Sequence, residues 1–397
     1  MIRTLHRRLG LALALFWLIQ VISGVVIVFR WELDDATLAA PSVSVNPRAL
    51  GTRIEAIARA NGKVSSMWAS GRAADRFDIY YADASGAERV MRVDGVGGIL
   101  RDVSSDALVA GGGIFNALTE IHESLLAGET GSWIVGVSGA LLLVNLMLGL
   151  KLAWPRTGTW RGSLYGRPGG PPEARRRGWH RMLGLWISIP ASLVVATGVL
   201  LVFEDGLEAA LGARIPTPVA SSRPRGESAR PPGPGRALSL ALLQYPGATI
   251  SALSMPEDAH AWFRIRLRRP DEMPRIWGTT TLFVSAQDGQ VIDKPRGRGS
   301  VARHFLDTLY PLHTGQLGGL LGRLLLLLIG VSLVTMIVLG ANLWYLRRAR
   351  RAAPTGDGSA PPPSSLASVQ VDARALSSGG HADMEAKVKW RQSRPPR

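Results

Sequence analysis

Cysteine is absent from all 397 residues. That excludes disulfides, iron–sulfur clusters, thiolate zinc sites and thioether attachment of a c-type haem. Any metal must be held by His, Asp, Glu or Met. Acid is scarce as well: 30 Asp and Glu stand against 46 Lys and Arg, a net charge of +16. The basic residues cluster beside apolar segments, which marks membrane orientation rather than a nucleic-acid surface. The patterns of base-reading folds are missing, so no nucleic-acid partner is expected. A nicotinamide or flavin fingerprint is missing too. Gly95-Val96-Gly97-Gly98 and Gly111-Gly112-Gly113 are loop glycines with no helix opening on them.

Four long apolar segments are present. Residues 9–29 carry no charge, and only Gln20 and Ser23 are clearly polar. At about 1.5 Å per residue they make about 31 Å of helix, roughly one hydrocarbon thickness. Arg3, Arg7 and Arg8 precede them. A secretory signal is the competing reading, but the run is long for one and no cleavage site follows closely. An uncleaved anchor is expected. The second span, 132–153, is charged only at Lys151, which can snorkel to the interface. The third, 183–203, contains Pro190, and the fourth runs from Leu317 to Leu346 with Arg323 near its start. Between spans two and three, residues 156–181 hold seven arginines against Glu173 alone, and arginines follow span four. The positive-inside rule makes both basic ends cytoplasmic.

Two polar regions separate the spans. In the first, Arg48–Ala60 has helical periodicity, and strands are expected at Val64–Ala69, Phe77–Ala82 and Arg89–Val93 around an Asp83-Ala84-Ser85-Gly86 turn. The second repeats that order: a helix at Leu238–Leu243, then strands at Thr249–Ser254, Ala261–Leu267, Thr279–Val284 and Gln290–Ile292. Ser221–Pro234 reads as a linker and the tail beyond Ala352 as disordered. The expected fold is an α-helical membrane protein: four transmembrane helices, arising by internal duplication, with two small α+β extracytoplasmic domains. The boundaries are 1–31 for the first span and 32–113 for the first domain. An outer helix and the second span take 114–155, and the basic loop 156–179. The third span is 180–204, the second domain 205–303, the fourth span 304–348 and the tail 349–397. Both termini face the cytoplasm.

The duplication is written most plainly around histidine. Leu5-His6-Arg7-Arg8-Leu9-Gly10-Leu11 returns as Trp179-His180-Arg181-Met182-Leu183-Gly184-Leu185. Gly10 and Gly24 keep the spacing of Gly184 and Gly198, and His122 to Gly149 that of His313 to Gly340. Each span thus has a histidine near its N-terminal end. The topology sorts them: His6 and His180 on the cytoplasmic side, His122 and His313 on the outer side. Facing imidazoles across a bundle suit a six-coordinate haem iron, and two pairs suit two b-type haems. Interfacial or capping roles, a transition-metal site and a proton relay are the other readings. Zinc would need three or four ligands at one point, which opposite faces forbid for all four. Arg7 and Arg181 could pair with propionates or simply anchor the chain. Arg323, which this topology puts within the outer leaflet, needs an anionic partner, a propionate or an acidic side chain, unless it snorkels. His304 is a reserve ligand; His260 and His381 are taken as surface residues.

These residues resemble the PepSY-associated transmembrane family. The matching elements are His-Arg-x-Leu-Gly-Leu at 6–11 and 180–185, Ile-His at 121–122, Leu-His-Thr-Gly at 312–315 and the Gly…Trp endings at 149–154 and 340–344. The resemblance covers about residues 1–350 and makes the two polar regions PepSY-like. It implies a multi-pass protein of the bacterial inner membrane, with His6, His180, His122 and His313 as axial ligands of two bis-histidine haem b groups. It further implies a ferric-siderophore or other ferric-chelate reductase serving iron uptake. The donor would be a cytoplasmic protein or a quinol. The rival expectation is a non-redox accessory protein whose PepSY-like domains bind a peptide or a protease, with Ala261–Leu267 offering a sheet edge.

Overall fold

The computed structural model describes residues 1–38, 40–71, 74–105, 113–166, 169–214, 218, 231–257, 261–293 and 301–352. Most of the expected linker, the tail from residue 353, His260, His381, Gly111 and Gly112 lie outside them.

The chain begins with α1 (Ile2–Ala12), α2 (Ala14–Ile27) and α3 (Arg30–Ala36). Then follow α4 (Pro47–Arg59), β1 (Lys63–Ala69), β2 (Arg76–Ala82), β3 (Glu88–Asp94), β4 (Ile99–Ser104), α5 (Ile114–Ser124) and α6 (Gly128–Ala153). After the short α7 (Trp160–Leu164) come α8 (Pro172–Val202), α9 (Glu204–Ala210) and α10 (Pro234–Gln244). The rest is β5 (Thr249–Ser254), β6 (Trp262–Arg268), β7 (Thr280–Ser285), β8 (Val291–Asp293), α11 (Val301–His313) and α12 (Gly319–Ala352).

Three helices are long and apolar enough to cross a membrane: α6, α8 and the segment Gln316–Ala349. A fourth span exists if α1 and α2, bent by 64°, count as one. The sequence leads one to expect an unbroken helix over 9–29, and the structure breaks it at Leu13. Arg3, Arg7 and Arg8 are exposed on α1 while Leu9 and Leu13 pack inward. Such an amphipathic turn of helix is better placed along a membrane surface than through it. Inside the bundle, Trp17, Leu142, Leu146, Ala191 and Leu333 form an apolar core. Trp17 Nε1 donates to Ser138 Oγ at 3.0 Å, so the buried indole is satisfied.

The polar regions differ from expectation in one respect. Their strands do not form two sheets but one, in the order β4-β3-β2-β1-β5-β6-β7-β8, antiparallel throughout. The seam is β1 on β5, with Ser66 opposite Ser254, Met67 opposite Leu253 and Trp68 opposite Ala252. Separate sheets would each leave a long free edge there, and pairing removes both. β6 lies inside the sheet, hydrogen-bonded on both sides, so Ala261–Leu267 offers no edge to a peptide. One sheet face carries the main core: Met67, Phe77, Ile79, Leu253, Ile265 and Leu282 pack beneath α4 and α10. These two helices cross at Gly51 and Gly235, where a methyl group on Gly51 would collide with the Gly235 backbone. Asn46 caps α4 by accepting from Arg48 N and Ala49 N, with Pro47 in the first turn.

The opposite face is polar and joins the helices. Arg92 on β3 is fully buried and pairs with Asp78 on β2 at 2.8 Å and with Asp34 on α3. Arg101 on β4 completes the group at 3.0 Å from Asp34. Burial works against the Arg92 charge, but Asp78 and Asp34 hold its pKa above the ordinary value. Near β7, Trp277 Nε1 donates to Ala69 O at 2.9 Å, and Ile276 N to Gln316 Oε1 at 2.7 Å. The Trp277 ring meets Trp31, Trp68 and Tyr310, with centroids 6.1, 5.6 and 5.3 Å away.

Candidate functional site

The structure brings the four histidines of the repeated motifs together in two pairs. The rings of His6 and His180 have centroids 6.4 Å apart, and those of His122 and His313 6.2 Å apart. All four side chains are half-buried. Each lends Nδ1 to a backbone carbonyl of a neighbouring helix. His6 meets Asn145 O and His180 meets Met336 O, both at 3.1 Å. His122 meets Gln20 O and His313 meets Val194 O, both at 2.9 Å. A carbonyl can only accept, so Nδ1 carries the proton and Nε2 keeps its lone pair. Fixing the tautomer through the other ring nitrogen is how proteins orient metal-binding histidines.

Glycines make the close approach possible. A methyl group at Gly24 would stand 2.8 Å from His122 Cε1, and one at Gly198 2.6 Å from His313 Cε1. At Gly149 it would stand 3.0 Å from His6 Cε1. Gly340 faces His180 with slightly more room, at 3.5 Å. Each ring therefore lies over a helix surface bared of side chain. Gly10 and Gly184, singled out with Gly24 and Gly198 in the sequence, instead face Asn145 and Met336.

One helix, α8, connects the pairs: it carries His180 and also Val194, whose carbonyl holds His313. At about 1.5 Å per residue, these points are about 21 Å apart along the axis. Ala191 lies between them on α8 and belongs, with Leu142 and Leu146 of α6, to the apolar core of the bundle.

A cavity of about 850 Å³ opens on His122 and His313 and reaches Arg268 at the end of β6 and Arg275 in the connection to β7. That is the size of site that takes a cofactor or small ligand. Among the described residues no group of three or more His, Asp or Glu could hold a metal ion. Each histidine pair could offer at most two nitrogens to one ion.

The arginines named from the sequence are placed differently. Arg323 lines the cavity, but its guanidinium is taken: it contacts Glu32 Oε2 at 2.7 Å and Val28 O at 2.6 Å. Its partner is the acidic side chain rather than a free anion, because α3 brings Glu32 to the start of α12. Arg181 donates to Ala153 O at 3.1 Å, satisfying the last carbonyl of α6. Arg7 is exposed on α1, as is His304 on α11. Arg30, Arg268 and Arg275, which no sequence pattern singles out, also line the cavity. Arg30 lies far from the other two in the chain, and Arg268 and Arg275, 7 residues apart, fall in no repeated motif.

A family model described as the PepSY-associated TM region matches residues 3–347. No curated protein matches the chain.

Proposed function

The chain belongs to the PepSY-associated transmembrane family, and on that premise we propose that it is an inner-membrane electron-transfer protein holding two haem b groups. The observation that carries this reading is the pairing of imidazoles with Nδ1 bound and Nε2 free. Metal–imidazole bonds are about 2 Å long, so two imidazoles that shared one iron would have ring centroids about 6 Å apart. The centroid separations of 6.4 and 6.2 Å fit that requirement. The bared glycines let the imidazole rings seat against the neighbouring helices. Haem iron, cycling between ferric and ferrous, would supply one-electron chemistry at each pair.

The chain's own groups have defined tasks. The carbonyls of Asn145, Met336, Gln20 and Val194 hold the imidazoles neutral and oriented. The apolar core between the pairs excludes water and ions, so charge crosses as electrons alone. We place His6 and His180 on the cytoplasmic side, with both termini, and His122 and His313 outside with the sheet. The donor is a quinol, which gives up two electrons and two protons, or a cytoplasmic reductant. The acceptor is a ferric chelate, which takes one electron per iron. Ferrous iron binds hard oxygen ligands more weakly than ferric iron does, so the chelate releases it for uptake.

The test is a dithionite-reduced minus oxidised spectrum of protein purified from haem-replete cells. Sharp α and Soret bands, with about two haems per chain, are expected. Colourless protein would reject the reading.

A further inference from the structure

The cavity beside His122 and His313 has a wall that these histidines do not explain. Arg30, Arg268 and Arg275 all face it. Among the described residues, none of the three pairs with a carboxylate. Arg30 donates to Thr119 Oγ1 at 2.6 Å, Arg268 to Arg275 O at 3.0 Å and Arg275 to Asp307 O at 2.8 Å. Among the described residues Arg275 Nε is buried without a hydrogen-bond partner. A guanidinium cannot shed its proton to escape burial, and its unsatisfied donors are costly. The three are neighbours: Arg268 bonds the Arg275 backbone, while Arg30 and Arg275 both act electrostatically on Tyr310.

Carboxylates act on two of them from a distance without an ion pair: Asp307 and Glu272 on Arg275, and Glu123 on Arg30. Arg264 and Arg266 lie on the same strand as Arg268. Burial, with Arg264, Arg275 and Arg303 close by, pulls the Arg266 pKa down to about 10. The carboxylates lining the cavity are Glu32, which Arg323 occupies, and Glu123 and Glu204. Burial raises the pKa of both Glu123 and Glu204, which favours their neutral forms.

We propose that Arg30, Arg268 and Arg275 form a carboxylate-binding wall, and that this cavity takes an anion bearing several carboxylates next to the His122–His313 pair. Planar guanidinium forks match carboxylates two bonds at a time, which is the chemistry the wall offers. The carboxylates can come from a soluble polycarboxylate chelate or from the propionates of a porphyrin. The first source rests on the electron-transfer reading for its purpose, but not for its binding.

The experiment uses the full chain in nanodiscs and redox-inert gallium(III) citrate, with an uncharged gallium(III) trihydroxamate as control. Wild type is compared with Arg30→Gln and with the Arg268→Gln/Arg275→Gln double variant. For a soluble chelate, citrate affinity falls about tenfold or more, the trihydroxamate is unaffected and both haems remain. For propionates, the variants lose or spectrally shift the outer haem, and the inner haem's retained signal shows that the protein has folded. Unchanged citrate affinity together with an unchanged haem spectrum overturns the proposal. Colourless wild-type protein that still binds gallium citrate through these arginines would retire the electron-transfer reading and leave the carboxylate site standing.

Discussion

At His122 one ring nitrogen is committed to Gln20 O, and the ring rests on Gly24. The same holds for His313 with Val194 O and Gly198. Two predictions belong at this scale. Replacing His122 or His313 by Ala should remove one of two haems and leave the other, as read by pyridine haemochrome stoichiometry; loss of neither rejects the pairing. Gly198→Ala should displace the His313 ring and reduce outer-haem occupancy, while Gly206→Ala, where a methyl group meets open space, should leave it unchanged. The histidines were legible in the sequence because each half repeats its own spacing without a gap. The arginine wall was not, since its members meet only after β6, the loop behind it and α3 have docked. Arg323 shows the same limit: burial announces the need for a partner, but only the fold selects Glu32.

Helix and strand periodicity carried the elements well. Expected strands at Val64–Ala69, Phe77–Ala82, Arg89–Val93 and Thr249–Ser254 fall within a residue of β1, β2, β3 and β5. β4 escaped because Ile-Leu-Arg-Asp-Val-Ser sets two charges side by side and breaks the alternation. The bend at Leu13 escaped because no proline or adjacent glycine marks it. Between α5 and α6 the chain turns through Leu125 and Leu126, both left-handed, with φ of 53° and 59°. The matching turn after α11 uses Gly315 and Gly319 instead. Leu126 is exposed, so Leu126→Gly should relieve strain and raise stability by about 1 kcal/mol, checked by thermal unfolding in detergent. Arg92→Leu should do the opposite. It strands Asp34 and Asp78 without their buried cation and should cost about 3 kcal/mol or more, seen as a lowered denaturation midpoint.

The whole molecule is organised by the β1–β5 seam. Nothing in the sequence points to it, because either half alone reads as a complete helix-and-sheet unit and edge pairing leaves no periodicity of its own. The lack of native cysteine gives a clean check. Ser66→Cys with Ser254→Cys places two thiols at directly opposed register positions, and they should form a disulfide without competing partners. A thiol-dependent mobility shift after cleavage between the halves would report it; two free thiols in oxidised protein would reject the continuous sheet. The seam also sets a timetable for synthesis. β1 is made early, but its partner strand follows only after about 180 more residues, which at ribosomal rates is about 10–40 s. Through that interval the further apolar helices are made while β1, already paired with β2, has its other edge open. A ribosome that stalls between the halves should therefore leave a product with an open sheet edge, prone to aggregate rather than to work as a smaller protein.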